Sequence, residues 1–142
     1  MARRDASDLY GDEHVRKYRE TGGEYGHDWR RGSSTLLLTT KGRRSGEPRT
    51  MALIYGRRGD DLLVVASNGG SDTPPAWYRN LKEDPEAEVQ VLEDRYRVHA
   101  RDATPDEKPE LWKQMTGEWP PYDDYQEKTD REIPVVVLER AA

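Results

Sequence analysis

No cysteine occurs among the 142 residues, which excludes disulfides, thiolate zinc sites and a cysteine nucleophile and fits a reducing compartment. The expected location is the cytoplasm. Phenylalanine is absent too, so aromatic bulk must come from four Trp and eight Tyr, whose N–H and O–H groups want polar partners when buried. Some of them are therefore expected to face a cleft. Leu, Ile, Val and Phe together supply only 22 residues, under the roughly 20% at which disorder becomes a concern. The buriable area of Trp and Tyr, and a net charge of only −5, answer that concern and predict a small folded core. No apolar run, in the opening Met1-Ala2-Arg3-Arg4-Asp5 or later, is long enough for a signal peptide or a membrane span. A broad basic surface is also missing: the sequence pI is near 5.3, which argues against a nucleic-acid binder. His14, His27 and His99 lie far apart and the carboxylates form no paired motif, so neither a metal site nor a hydrolytic triad is expected.

The length suits one domain. Residues 1–32 are read as a polar, solvated arm carrying one short helix near Asp12 to Thr21, closed by Gly22-Gly23. Its weak stripe of Leu9, Val15 and Tyr18 leaves open an amphipathic flap over a substrate or a membrane surface. From Ser33 onward, short apolar runs broken by turn residues predict six strands in a domain spanning 33–142. They are Ser33 to Thr40, Thr50 to Gly56 paired with Asp61 to Ser67, Glu88 to Leu92 paired with Arg95 to Arg101, and Ile133 to Glu139. The last is a continuous apolar run, as for a strand buried on both faces, with Pro134 placing its start near an edge. Two helices interrupt them. One has Thr73 as N-cap and ends at Asp84-Pro85, with Trp77 and Leu81 inward; the other starts at the capping box Thr104-Pro105-Asp106-Glu107 and turns Leu111, Trp112 and Met115 inward. Hairpins with inserted helices predict an α+β fold, a six-stranded, mainly antiparallel closed or split β-barrel with flanking helices.

Three constellations carry candidate chemistry. Lys41-Gly42-Arg43-Arg44-Ser45-Gly46-Glu47-Pro48-Arg49 puts four bases, a hydroxyl and two glycines between two strands. Glycines let backbone N–H groups approach an anion, and guanidinium forks bind phosphate oxygens in pairs. The same composition also suits a solvated basic turn or a nucleic-acid patch. Ser67-Asn68-Gly69-Gly70 follows an apolar strand at a barrel mouth, within ten residues of Trp77 and Asn80, which can stack on a flat ring and hydrogen-bond its edge. Trp119, Tyr122 and Tyr125 recur at offsets of three, as a core stripe or as a cover over a site, and the two phenols are proton donors.

At these residues the chain resembles the deazaflavin-dependent nitroreductase and quinone reductase family. The resemblance runs from residue 14 to 139, through Leu37-Leu38-Thr39-Thr40, the basic loop, Ser67, Gly69-Gly70 and Pro75-Ala76-Trp77-Tyr78-Arg79-Asn80-Leu81. It continues to Tyr122, Tyr125 and Thr129-Asp130-Arg131-Glu132-Ile133-Pro134-Val135. It implies an FMN-binding split-barrel-like fold and coenzyme F-420, a deazaflavin with a phosphate and an acidic oligoglutamate tail. It further implies that Lys41, Arg43, Arg44, Ser45, Gly46, Pro48 and Arg49 hold phosphate and tail, and that Ser67, Asn68, Ala76, Trp77 and Asn80 line the ring. Trp119, Tyr122 and Tyr125 would form a lid over the substrate. The implied reaction is hydride transfer to a quinone, enone or nitroaromatic acceptor, with Tyr122, Tyr125 or Ser67 as the protein's proton donor or a water in their place. Four positions depart from the common pattern: Arg44 for a Lys, Asn68 for a Lys, Ala52 for a Pro, and Trp119 where a tyrosine can stand. Two alternatives stay open, an FMN-dependent reductase of the same fold and a non-catalytic deazaflavin carrier. Peripheral membrane contact and the oligomeric state, monomer or homodimer, are left open as well.

Overall fold

A computed structural model describes residues 2–141. Its elements in chain order are β1 (Arg4–Asp5), α1 (Gly11–Thr21), β2 (Tyr25–Asp28), β3 (Thr35–Lys41), β4 (Pro48–Ile54), β5 (Gly56–Arg58) and β6 (Asp61–Val65). There follow α2 (Ala76–Glu83), β7 (Glu86–Val91), β8 (Asp94–Asp102), α3 (Lys108–Glu118), α4 (Pro121–Glu127) and β9 (Val135–Arg140). β3 to β9 form one seven-stranded sheet in the order β4-β3-β7-β8-β9-β6-β5, and every neighbouring pair is antiparallel.

β4 and β5 stand at opposite edges of this sheet, yet only Tyr55 separates them in sequence. The sheet must therefore curl until its edges approach, which makes it the half-barrel of a split-barrel fold. The expected six strands become seven because the predicted run Thr50 to Gly56 breaks at this corner. Its body pairs with β3 across the basic loop, and only the end, from Gly56, pairs with β6. The expected Thr50–Gly56/Asp61–Ser67 hairpin is corrected accordingly; local turn chemistry could not reveal a strand that changes edges. The second hairpin is present, with Val91 opposite Asp94. β9 lies between β8 and β6, so its start is central and not at an edge; Pro134 sits outside the ladder, and its carbonyl accepts from the Ala66 N–H at 3.1 Å.

Strand periodicity sorts the core into two layers. Leu62, Val64, Val136 and Leu138 point into the barrel with Leu36, Leu38, Val89 and Trp77, while Leu63, Val65, Val135 and Val137 point outward beneath Leu111, Met115 and Tyr122 of α3 and α4. That double demand explains the unbroken apolar run of β9. The two hydrogen bonds of the capping box form, with Thr104 N–H donating to Glu107 Oε1 at 2.8 Å and Glu107 N–H to Thr104 Oγ1 at 3.3 Å, but they close a turn ahead of the helix, which starts at Lys108 with Glu107 as its N-cap and not at Thr104 as expected. Thr73, by contrast, does not cap α2, whose N-cap position is Pro75.

The segment before Ser33 differs most from expectation. Its helix is present, but Leu9, His14 and Tyr18 are buried. Tyr18 donates to the Thr35 carbonyl (3.0 Å) and accepts from the Leu92 N–H (2.9 Å), and His14 Nε2 bonds the Gly26 carbonyl at 2.7 Å. The solvated-arm reading is thus corrected. The stripe looked weak because its anchors are a phenol and an imidazole, whose polar atoms find partners inside.

Candidate functional site

The basic loop is the β3–β4 turn, and its shape follows from its own hydrogen bonds. Gly42 N–H donates to Glu47 O (2.9 Å), Gly46 N–H to Gly42 O (2.8 Å), and Glu47 N–H to Ser45 Oγ (3.1 Å). A Cβ on Gly42 would lie 2.9 Å from Ser45 Oγ and 3.0 Å from Glu47 O, so a larger residue would have to displace the Ser45 hydroxyl and strain this tight crossing. Asn80 anchors the loop from α2. Its Oδ1 accepts from both the Arg43 N–H and Arg43 Nη1 at 3.1 Å, and its Nδ2 donates to Thr40 Oγ1 at 3.0 Å. The buried amide expected to read a ring edge therefore has both ends engaged inside the protein.

Arg43, Arg44, Ser45, Pro48 and Arg49 converge with Ala76, Trp77 and Asn80 on a cavity of about 490 Å³. Lys41 and Gly46 line instead a neighbouring space of about 450 Å³, shared with Arg43, Arg44 and Ser45, which also holds Glu83 and Asp84. Among the described residues, none of Lys41, Arg43, Arg44 and Arg49 is ion-paired to a carboxylate. Four cations outside any ion pair among the described residues, with Asp12 as the carboxylate lining the first cavity, and a glycine cradle are a donor set that fits an anionic ligand.

The first cavity adjoins a second, of about 430 Å³, which shares Met51 and Trp77 with it and gathers Ser67, Asn68, Trp119, Tyr122 and Tyr125. Two devices hold this group together. Gly70, at φ +87°, packs against the α4 backbone so closely that a Cβ would sit 2.7 Å from Tyr125 O. Arg131 then ties the loop from below, donating to the carbonyls of Ala66 (3.2 Å), Ser67 (2.9 Å) and Ser71 (2.8 Å). Asn68, in left-handed backbone conformation, donates to Thr73 O at 2.9 Å, so it closes the loop where a cation would have projected. The Tyr122 and Tyr125 rings meet edge to face at 6.1 Å, and Trp119 Nε1–H donates to the Tyr125 hydroxyl at 3.3 Å. Burial pushes the Tyr122 phenol well above its ordinary value, with smaller contributions from Tyr125 and Glu118, so it stays protonated.

Residues 11–140 match the profile of a family described as F420H(2)-dependent quinone reductase. The chain belongs to that family. An F420H(2)-dependent quinone reductase of Mycobacterium tuberculosis (strain H37Rv) is 42% identical over 127 residues, 87% of this chain and 85% of the relative. Among solved structures, an F420-H2 dependent reductase is 37% identical, with a TM-score of 0.69 over 74% of this chain and 93% of its own. Another, described as a domain-swapped dimer, is 34% identical, with a TM-score of 0.72 over 88% of this chain and 96% of its own.

For this member of the quinone reductase family, every site residue expected from sequence lines one of three adjoining spaces around α2 and the basic loop. Sequence reasoning missed Tyr10, Trp29 and Met51 in the aromatic cavity and gave Arg131 no role. Trp29 lay in the segment read as an arm, although an indole among charged residues was a usable signal.

Proposed function

We propose that the protein transfers a hydride from reduced coenzyme F-420 to a quinone, with enones and nitroaromatics as further acceptors. One observation carries this reading: a cationic cavity and an aromatic cavity adjoin, sharing Trp77 and Met51 as lining. Arg43, Arg44, Arg49 and Ser45 would hold the phosphate and acidic tail, with Lys41 and Gly46 reached in the neighbouring space. Ala76 and Trp77 would flank the ring, and Ser67 and Asn68 would lie where it meets the acceptor. Bound there, the deazaflavin supplies the hydride. The protein's own work is to exclude water, to align the acceptor beneath Trp119, Tyr122 and Tyr125, and to deliver a proton as negative charge develops on it. The family name favours the deazaflavin over FMN, and a cavity for an acceptor beside the cationic one favours catalysis over a carrier role.

We also propose that the acceptor reaches the site at a membrane's cytoplasmic face. No helix among the described residues is long and apolar enough to cross a membrane. However, Tyr10 and Met51, 75% and 46% exposed, both line the aromatic cavity, and the Arg30 guanidinium lies 4.6 Å from the Trp29 ring centroid. An apolar mouth with a cationic rim is what an anionic lipid surface binds.

The direct test mixes protein, reduced cofactor and menadione. Cofactor reoxidation above background is expected, and its absence would sink the reading; titrations of F-420 and FMN, followed by tryptophan fluorescence, compare the two cofactors.

A further inference from the structure

Three phenols and a serine hydroxyl line the aromatic cavity, and their surroundings are not equivalent: Tyr10 is 75% exposed to solvent, Tyr122 is buried and Tyr125 is half-buried. Trp119 is the C-cap of α3 and joins it to α4. Its indole nitrogen is a donor only, so the bond to Tyr125 occupies a lone pair of the phenol and leaves the phenol's own proton to point elsewhere. No other protein group among the described residues hydrogen-bonds that hydroxyl. The indole is fixed in turn. Its ring stacks on Trp29 at 5.8 Å and 24°, the Arg31 guanidinium lies 5.5 Å from its centroid, and Trp29 Nε1–H is tied to the Leu9 carbonyl at 3.0 Å.

We propose that Trp119 is a positioning residue that aims the Tyr125 proton into the acceptor cavity, with Trp29 holding it in that pose, so that Tyr125 is the proton donor of the reduction. This rests on the quinone reductase reading above. In the step, a quinone that has received the hydride from the reduced deazaflavin carries one anionic oxygen. The Tyr125 O–H bond breaks, an O–H bond forms on that oxygen to complete the hydroquinone, and water reprotonates the phenolate. The site must therefore tolerate a phenolate. Tyr122 is buried with no cation over its ring among the described residues, whereas Tyr125 is half-buried with the Lys128 ammonium 5.6 Å from its ring centroid. Ser67 would have to become an alkoxide, a far stronger base than a phenolate.

The bond itself can be read without cofactor. In ¹⁵N-correlated NMR spectra, Tyr125→Phe is expected to shift one indole N–H resonance, the one that disappears in Trp119→Phe, and to leave that of Trp112 in place. Kinetically, Trp119→Phe keeps a stacking ring and deletes the N–H. For menadione reduction it is expected to lower kcat about five- to tenfold, the worth of one orienting hydrogen bond. KM should stay within about twofold, and the solvent isotope effect on kcat should rise as proton transfer becomes slower. In a Tyr125→Phe background the same substitution should change nothing further. An indole resonance indifferent to Tyr125→Phe, or a Trp119→Phe effect of equal size with and without Tyr125, overturns the inference. A wild-type protein that reoxidises no cofactor with any quinone overturns the functional reading instead, whatever the NMR spectra show.

Discussion

Replacing Gly70 by alanine tests the packing that joins the Ser67 loop to the aromatic lid. Gly70 has φ +87°, a conformation costing an L-residue roughly 1–2 kcal/mol. The new Cβ would also lie 2.7 Å from Tyr125 O and 3.0 Å from Tyr125 Cα, both backbone atoms that no rotamer change can move. Overpacking of that kind costs about 1–3 kcal/mol. The expected loss of stability is the sum, about 2–5 kcal/mol, or a melting temperature lower by roughly 10 °C for a chain of this size. Urea unfolding of Gly70→Ala beside Gly69→Ala separates the two parts. Gly69 is left-handed as well, at φ +64°, but has nothing within 4 Å of its Cβ position, so its variant carries the backbone cost alone. The difference between the variants isolates the clash. The quinone KM should rise in Gly70→Ala, because the displaced loop carries Ser67 and Asn68 into the aromatic cavity. Equal stability losses in the two variants would refute the packing argument.

Three further outcomes follow from the same contacts. Arg44→Ala should weaken cofactor binding by about 1.5–3 kcal/mol, the range for hydrogen bonds to charged groups; an unchanged dissociation constant would move the phosphate elsewhere. Asn80→Leu strands the Thr40 hydroxyl and releases Arg43, and should cost about 1–3 kcal/mol in denaturant unfolding as well as cofactor affinity, whereas a stability equal to wild type would show the anchor to be idle. Tyr18 and Tyr122 are both raised far above the ordinary phenol value by burial. Between pH 10 and those raised values the unfolded chain loses protons that the folded chain keeps, so stability should fall by about 1.4 kcal/mol per pH unit for each phenol. Tyr122→Phe should lower that slope by about 1.4 kcal/mol per pH unit in unfolding measured from pH 10 upward, and eight tyrosines all titrating at the ordinary value would contradict the prediction.

Much of the site was legible locally because its residues sit close together in sequence. The run Lys41 to Arg49 suits an anion by composition but suits a solvated basic turn as well, and it took the neighbouring Ser67, Trp77 and Asn80 to favour the anion; the 3-residue spacing of Trp119, Tyr122 and Tyr125 points to one shared face. Strand positions were legible for the same reason: an antiparallel strand must alternate, and β9, buried on both faces, must not. What no local pattern carries is which strand meets which. Thr50 to Gly56 reads as one strand, yet its two ends pair with partners on opposite edges of the sheet, because curling brings those edges together at Tyr55. The N-terminal segment was misread for a related reason: Tyr18 and His14 look polar until a tertiary carbonyl or N–H meets each polar atom.

The sequence by itself therefore determined the alternating strands, the helix bearing Trp77 and Asn80, and a phosphate-suited loop with an aromatic group downstream. Only the tertiary structure decided that the loop and the aromatic group line adjoining cavities, that Asn80 is engaged by Thr40 and Arg43, and that Trp29 of the supposed arm backs Trp119. Backbone propensity and side-chain periodicity act over a few residues and are written into the chain. Distances between Arg43 and Asn80, or between Trp29 and Trp119, are set by the curl of the whole sheet, a property of all seven strands at once.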